Sequence, residues 1–155
     1  MRSLLSSYTG DLSQEDMAPV TNPDFAPKVL LVEDSPSTML ALTNAFLGLG
    51  CTSDMAFEAN EACSLFMIRK YDLLVLDWNL PDLTGGEFLE RMDLLIKHSK
   101  QTPHSPIPVV IHTAKDWRGL QYADCHFFKV IDYWKKPMGF SEVSLHANQT
   151  IHNLF

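Results

Sequence analysis

Residues 73–82 read "LLVLDWNLPD". Four consecutive apolar residues have the length of a strand and none of the alternation of a half-exposed one, which is the pattern of a strand covered on both faces in a parallel sheet. The run ends on Asp77. A carboxylate in a core costs several kcal/mol unless it is paired, hydrogen-bonded or bound to a cation. At the carboxyl end of a parallel strand, however, it opens into the crevice where α/β sheets bind ligands.

Working outward from that strand, short apolar runs alternate with helical stretches. "KVLLV" (28–32) is a strand, and Ser35-Pro36 then supplies a helix cap and a proline at the first helical position. Met39, Leu42, Phe46 and Leu49 follow at helical spacing, with Gly48 and Gly50 ending that helix. "CTSDMAF" is a second strand. "NEACSLFMIRK" (60–70) is a helix with Asn60 as its cap and Ala62, Leu65 and Phe66 facing inward. After Asp77 come a flexible loop holding Pro81 and Gly85-Gly86 and a helix from Glu87 to about Lys97. "HSKQTPHSPIP" is a polar loop, and "VVIHTA" (109–114) is the fourth strand. The spacing predicts a helix over 117–127, a strand near 130–135, and a last helix capped by Ser141, with Val143, Ala147, Ile151 and Leu154 on one face. The sum is an α/β, flavodoxin-like (βα)5 chain whose five parallel strands take the order 2-1-3-4-5.

Residues 28–155 form the domain. Residues 1–27 are polar, with Pro19, Pro23 and Pro27 and with Asp11, Glu15, Asp16 and Asp24 against the single Arg2. Such a segment buries too little apolar surface to offset its ordering entropy and reads as a disordered extension, in which "SSYTGDLSQEDM" forms at most a short docking helix. Net charge is −7 and no basic cluster stands out, which disfavours direct nucleic-acid binding. The apolar runs are too short for membrane insertion and there is no signal-peptide core, so a cytoplasmic location is expected. Cys51, Cys63 and Cys125 are odd in number, without CxxC spacing, and read as reduced thiols. The six histidines show no metal-ligand spacing, and His112 faces away from its neighbour Thr113.

In a parallel sheet all carboxyl ends lie on one side. Glu33 and Asp34, Asp77, Thr113 and Lys136 therefore share one crevice. Crowded carboxylates repel, and a hard divalent ion relieves them; Mg²⁺ takes one or two carboxylates, keeps several waters and accepts phosphate oxygens. Asp34 and Asp77 suit direct coordination, and Glu33 suits a metal-bound water. Lys136 pairs with Asp77 at rest and with a phosphoryl oxygen later, Thr113 donates to another, and a free Asp77 oxygen is left as a nucleophile.

"LLVEDS", "LLVLDWNLPDLTGGE", "VVIHTA" and "KKP", in that order, resemble the receiver domain of two-component response regulators, in its single-domain, chemotaxis-regulator-like form. The resemblance implies a phosphoprotein acting in signal transduction or a phosphorelay. Asp77 is then the acceptor of a phosphoryl group from a phosphohistidine, with Mg²⁺ as cofactor. Glu33 and Asp34 are the acidic pair, Asn79 gives the metal its backbone carbonyl, and Thr113 and Lys136 hold the phosphoryl group. Tyr133, three residues before the lysine, is the aromatic switch, and output leaves by the face of the fourth helix, fifth strand and fifth helix. The implied partners are a sensor histidine kinase or histidine phosphotransfer protein and a downstream protein target; a phosphorylation-dependent dimer and a phosphate-sink role stay open. Such a chain has no catalytic turnover. Two departures from the family stand out: the interval from Asp77 to Thr113 is several residues longer, and "DCHFFKVID" replaces the small glycine-containing turn before the last strand.

Two other readings use the same residues. A phosphatase of the haloacid-dehalogenase type would need an acid two residues after the nucleophile, where this chain has Asn79. A pseudo-receiver that never takes phosphate would have no use for the intact Glu33, Asp34, Asp77, Thr113 and Lys136.

Overall fold

The computed structural model describes residues 25–155. Residues 1–24, most of the acidic extension, lie outside the described residues. Five strands, β1 (Lys28–Val32), β2 (Thr52–Ala56), β3 (Leu73–Asp77), β4 (Ile107–Thr113) and β5 (Phe128–Lys135), form one sheet in the order β2-β1-β3-β4-β5. Every pairing is parallel, so the carboxyl ends do gather at one edge.

Four α-helices cover the sheet: α1 (Pro36–Leu47), α2 (Ala59–Ile68), α3 (Gly85–Lys97) and α4 (Phe140–Leu154). Alternate residues of each central strand point to opposite faces, and each face has its own core. Val29, Leu31, Leu73, Val75, Val110 and Trp134 pack under α1 and α4. Leu30, Val32, Leu74, Leu76, Val109 and Ile111 pack under α2 and α3. Burying one such side chain contributes about 2 kcal/mol, so the doubly covered strands carry most of the stability.

The helix caps differ from the expected ones in two places. Ser35 caps α1, with Pro36 at its start. The cap of α2 is Glu58, not Asn60, because the carboxylate of Asp82 reaches across and accepts from the N–H groups of Ala59 and Asn60, both at 2.9 Å. In α4 the cap is Gly139, and Ser141 lies inside the helix. Gly85 and Gly86 belong to the first turn of α3, not to a flexible loop. Thr84 caps that helix in a reciprocal box with Glu87, accepting from the Glu87 N–H at 3.2 Å while the Glu87 carboxylate accepts from the Thr84 N–H at 3.4 Å.

The largest departure lies between β4 and β5. The helix expected over 117–127 does not form, and a single 3₁₀ turn at Trp117–Gly119 stands in an otherwise irregular connection. Leu120, Tyr122, Cys125 and Phe127 still lay their side chains on the core face left open there. The strand begins earlier than expected, at Phe128, because the Phe127 N–H is held by Asp93 Oδ1 at 2.7 Å and the Ile107 N–H by the Phe127 carbonyl at 2.8 Å. A register shift between Val109 and Val110 bends β5 against β4. The three cysteines are free thiols.

Candidate functional site

The carboxyl ends of β1, β3 and β4 and the segment after β5 bring together Glu33, Asp34, Asp77, Thr113 and Lys136. Parallel register is the cause: Val32 pairs with Leu76 and Asp77 with His112, so the residues following these positions emerge at one level. Carboxylate oxygens of Glu33, Asp34 and Asp77 all lie within 4.8 Å of one another. Glu33 and Asp77 are buried and Asp34 is exposed. This donor set, all hard oxygen with one solvent-facing member, fits a small divalent cation that keeps water ligands.

Each acidic side chain is fixed by the backbone around it. Glu33 Oε1 accepts from the Ser35 N–H at 3.2 Å, and Asp77 Oδ1 accepts from the Asn79 N–H at 3.1 Å. Asn79 in turn bridges Thr84, and the Gly85 N–H donates to the Trp78 carbonyl at 2.7 Å, closing the loop after Asp77 onto the start of α3. Trp78 is buried between Gly85, Gly86 and the ring of Tyr122.

Lys136 bridges the buried acids, with Nζ 2.8 Å from Glu33 Oε2 and 3.3 Å from Asp77 Oδ2. Its resting partner is therefore Glu33 more than Asp77. The Lys136 N–H donates to the Thr113 carbonyl at 2.8 Å, which ties lysine and threonine together through the backbone, and the Lys136–Pro137 peptide is cis. Thr113 Oγ1, buried, accepts from the Lys115 N–H at 3.1 Å.

Burial is the main electrostatic fact here. It pushes the Glu33 carboxyl up to about 7, an effect that the hydrogen bond from Lys136 opposes and the nearby Asp77 charge reinforces. Burial also raises Asp77, against the hydrogen bond from the Asn79 N–H and the charge of Lys136. For Lys136 burial works downward, but the hydrogen bond and charge of Glu33 and the charge of Asp77 win and raise it. The pocket thus holds more acid than its one ammonium can neutralise, and a cation entering beside Asp34 would relieve it.

His112 does turn from Thr113 to the other face, against Trp134. Its Nδ1 nevertheless stops 3.8 Å from Glu33 Oε2, too far for a hydrogen bond. Burial, helped by Lys136 and His146, lowers it to about 4, so it is a neutral ring at pH 7. Tyr133, half-buried on β5, exchanges a hydrogen bond of 2.8 Å with the Tyr122 hydroxyl and packs on Trp117 with ring centroids 5.6 Å apart. Sequence reasoning missed Trp78 and Tyr122. The Thr84-x-x-Glu87 pattern before an apolar run was a local signal for the capping box that the sequence reading did not use, whereas the Tyr122–Tyr133 pair had no local signal.

The family profile described as "Response regulator receiver domain" matches residues 29–147. The chain is 31% identical over 101 residues to the aerobic respiration control sensor protein ArcB of Escherichia coli, covering 65% of this chain and 12% of that protein. It is 30% identical over 121 residues to the transcriptional regulatory protein HprR of Escherichia coli, covering 75% of this chain and 48% of the other. The chain therefore spans less than half the length of either relative. Among solved structures, the receiver domain of the Francisella response regulator 1452 superposes with a TM-score of 0.59 at 27% identity, over 82% of this chain and 98% of that one.

Proposed function

Because the chain belongs to the receiver domain family of two-component response regulators, we propose that Asp77 is its phosphoacceptor. The observation that carries this reading is the pocket itself: carboxylate oxygens of Glu33, Asp34 and Asp77 within 4.8 Å of one another, with Lys136 Nζ between the two buried acids. A carboxylate oxygen of Asp77 attacks the phosphorus of a phosphohistidine. An O–P bond forms, the P–N bond breaks, and the imidazole leaves with the electron pair. Lys136 and the Thr113 hydroxyl then hold phosphoryl oxygens. Asp34, Asp77 and the Asn79 carbonyl, with Glu33 through a water, would hold Mg²⁺, which supplies positive charge against the transferring phosphoryl oxygens.

A phosphoryl group adds about −1.5 to −2 of charge, which draws the Thr113 hydroxyl toward it. Tyr133 then turns toward the space Thr113 leaves, which requires breaking its hydrogen bond to Tyr122. The face that changes consists of β5, α4 and the 114–127 connection. Phosphoryl donors on this reading are a sensor histidine kinase or a histidine phosphotransfer protein, and the changed face addresses a downstream protein, all in the cytoplasm. The chain acts as a phosphorylated signal, without turnover of a substrate.

Intact-mass measurement after incubation with acetyl phosphate tests this. One phosphoryl group is expected on the wild-type chain with Mg²⁺, and none without the metal or in Asp77→Asn. A folded, metal-binding wild type that takes no phosphoryl group from acetyl phosphate or a phosphohistidine donor would overturn the reading in favour of a pseudo-receiver.

A further inference from the structure

At the pole opposite Asp77, where β3, β4 and β5 begin, the structure holds a cleft of about 910 Å³. Its walls are the end of α2 with the turn that follows, the 99–108 loop, Lys129 of β5 and the end of α4. That loop belongs to the polar, proline-bearing connection between α3 and β4. Four of the chain's twelve Lys and Arg residues line it, Arg69, Lys70, Lys100 and Lys129. Among the described residues Asp72 is the one acidic side chain lining it, and its carboxylate already accepts from the Lys28 N–H at 2.8 Å. Arg69 is likewise engaged, with Asp54 at 2.8 Å. Lys70, Lys100 and Lys129 are exposed and make no ion pair among the described residues. Met67, Ile68 and Phe155 add exposed apolar surface to the same lining.

A positive cleft with apolar walls, on a chain of net charge −7, calls for an acidic and apolar occupant. The chain carries one. Residues 1–24 hold Asp11, Glu15, Asp16 and Asp24 against Arg2, together with Leu4, Leu5, Tyr8 and Leu12. They join the described residues at Phe25, whose ring packs against Phe155 of the cleft with centroids 5.8 Å apart. The residues between Asp16 and Phe25 reach up to about 30 Å when extended, more than the width of a cavity of this size.

We propose that the chain's own acidic segment, residues 4–16, docks in this cleft, with Asp11, Glu15 and Asp16 facing Lys70, Lys100 and Lys129. Tethering at Phe25 makes the contact intramolecular and gives it a high effective concentration, so a weak interaction suffices. The docked segment lies at the far pole and leaves Asp77 accessible, so the inference stands independently of the phosphoacceptor reading.

The test uses the full-length chain. Zero-length carbodiimide cross-linking of the monomer is expected to join a carboxylate of residues 11–16 to Lys70, Lys100 or Lys129. Backbone amides of Gln101, Thr102, His104 and Ser105 should exchange hydrogen about five-fold more slowly in the wild type than in Lys100→Glu/Lys129→Glu, corresponding to about 1 kcal/mol of local stabilisation. Adding Asp11→Lys, Glu15→Lys and Asp16→Lys to that double variant should restore the protection. Equal exchange in all these chains would overturn the proposal. Cross-links found only between two chains, or protection that rises with protein concentration, would overturn it in favour of a second copy as occupant. Acetyl phosphate labelling of Asp77 should be the same in every variant, which separates failure here from failure at the acidic pocket.

Discussion

Two loops leave neighbouring strands at the same edge of the sheet, and they are held in different ways. The one after β3 runs through Trp78 and Asn79 to Thr84 and passes directly into α3. The Asn79–Thr84 bridge, the Gly85 to Trp78 hydrogen bond and the capping box satisfy its backbone, and Trp78 packs against two glycines. The one after β4, residues 114–127, forms no α-helix and is fixed by a few side-chain clasps: Asp116 on the Arg118 N–H, Tyr122 on Tyr133, and Asp93 on the Phe127 N–H. The denser backbone hydrogen bonding thus sits beside Asp77, the proposed acceptor, and the looser connection sits beside Thr113 and Tyr133, the residues proposed to move. On the proposed function, a fixed site for chemistry and a deformable face for output would be allotted to adjacent loops.

The sharpest way to break this comparison is to crowd the rigid side. A Cβ at Gly85 would meet Trp78 Cε3 at 2.8 Å and Trp78 Cα at 3.1 Å. Because Trp78 is packed on both sides, Gly85→Val should destabilise the chain by about 3 kcal/mol in urea unfolding, in the range of severe overpacking. A midpoint within error of wild type would mean that the loop yields and the contrast is false.

The next effect belongs to the acidic pocket that this loop frames. The native Glu33 carboxyl is raised from 4.5 to about 7, so the native state keeps a proton that the unfolded chain releases. The stabilisation from that proton is complete below pH 4.5 and is lost as pH climbs from 4.5 through 7. Without metal, this group should lower stability by about 2 kcal/mol between pH 4.5 and 7.5, less than the full linkage value because Lys136 shares the titration. Urea midpoints across that range should fall for the wild type and stay flatter for Glu33→Gln, and Mg²⁺ should recover the loss at pH 7.5 by binding the folded state alone. Parallel pH profiles in the two chains would remove Glu33 as the source of strain.

The legibility of the sequence divides along the same line. The strands and the acidic pocket were readable because they rest on local signals, continuous apolar runs and carboxylates at strand ends, and the strand order followed from the flavodoxin-like pattern of alternating strands and helices. The missing helix was not readable, because Trp117, Leu120 and Phe127 supply apolar residues at helical intervals of three and seven. Trp117 stays exposed, whereas Leu120, Tyr122 and Phe127 are half-buried without helical backbone, with Asp93 holding Phe127 and Tyr133 holding Tyr122. The same is true of Asp82, which displaced Asn60 as the effective cap of α2 from more than twenty residues away. Nor does any local pattern announce that Lys136 sits closer to Glu33 than to Asp77.

On the adaptable side the effects should be smaller. Tyr122→Phe removes the hydroxyl bond to Tyr133 while keeping the ring against Trp78, a loss of about 1 kcal/mol. It should appear as faster hydrogen exchange of amides 117–123, with α3 unaffected, and as a change in Trp117 fluorescence as Tyr133 is freed. If exchange accelerates equally in α3, the two loops are one cooperative unit and the division between them fails.

The smallest effect has the opposite sign, and it is the direct counterpart of Gly85. A Cβ built at Gly119 meets nothing within 4 Å, and its backbone is not in the positive-φ region that only glycine favours. Alanine there costs the folded state nothing and removes conformational freedom from the unfolded chain, so Gly119→Ala should stabilise by about 0.5 kcal/mol. Alanine also favours helix at this position by about 1 kcal/mol, which makes the substitution a probe of why the connection is irregular. If glycine alone prevents the helix, amides 116–124 of Gly119→Ala should gain exchange protection and far-UV ellipticity should deepen. If the clasps decide, stability rises slightly and neither signal moves. The geometry favours the second outcome, since neither the Tyr122–Tyr133 bond nor the Asp93 hold on Phe127 involves residue 119.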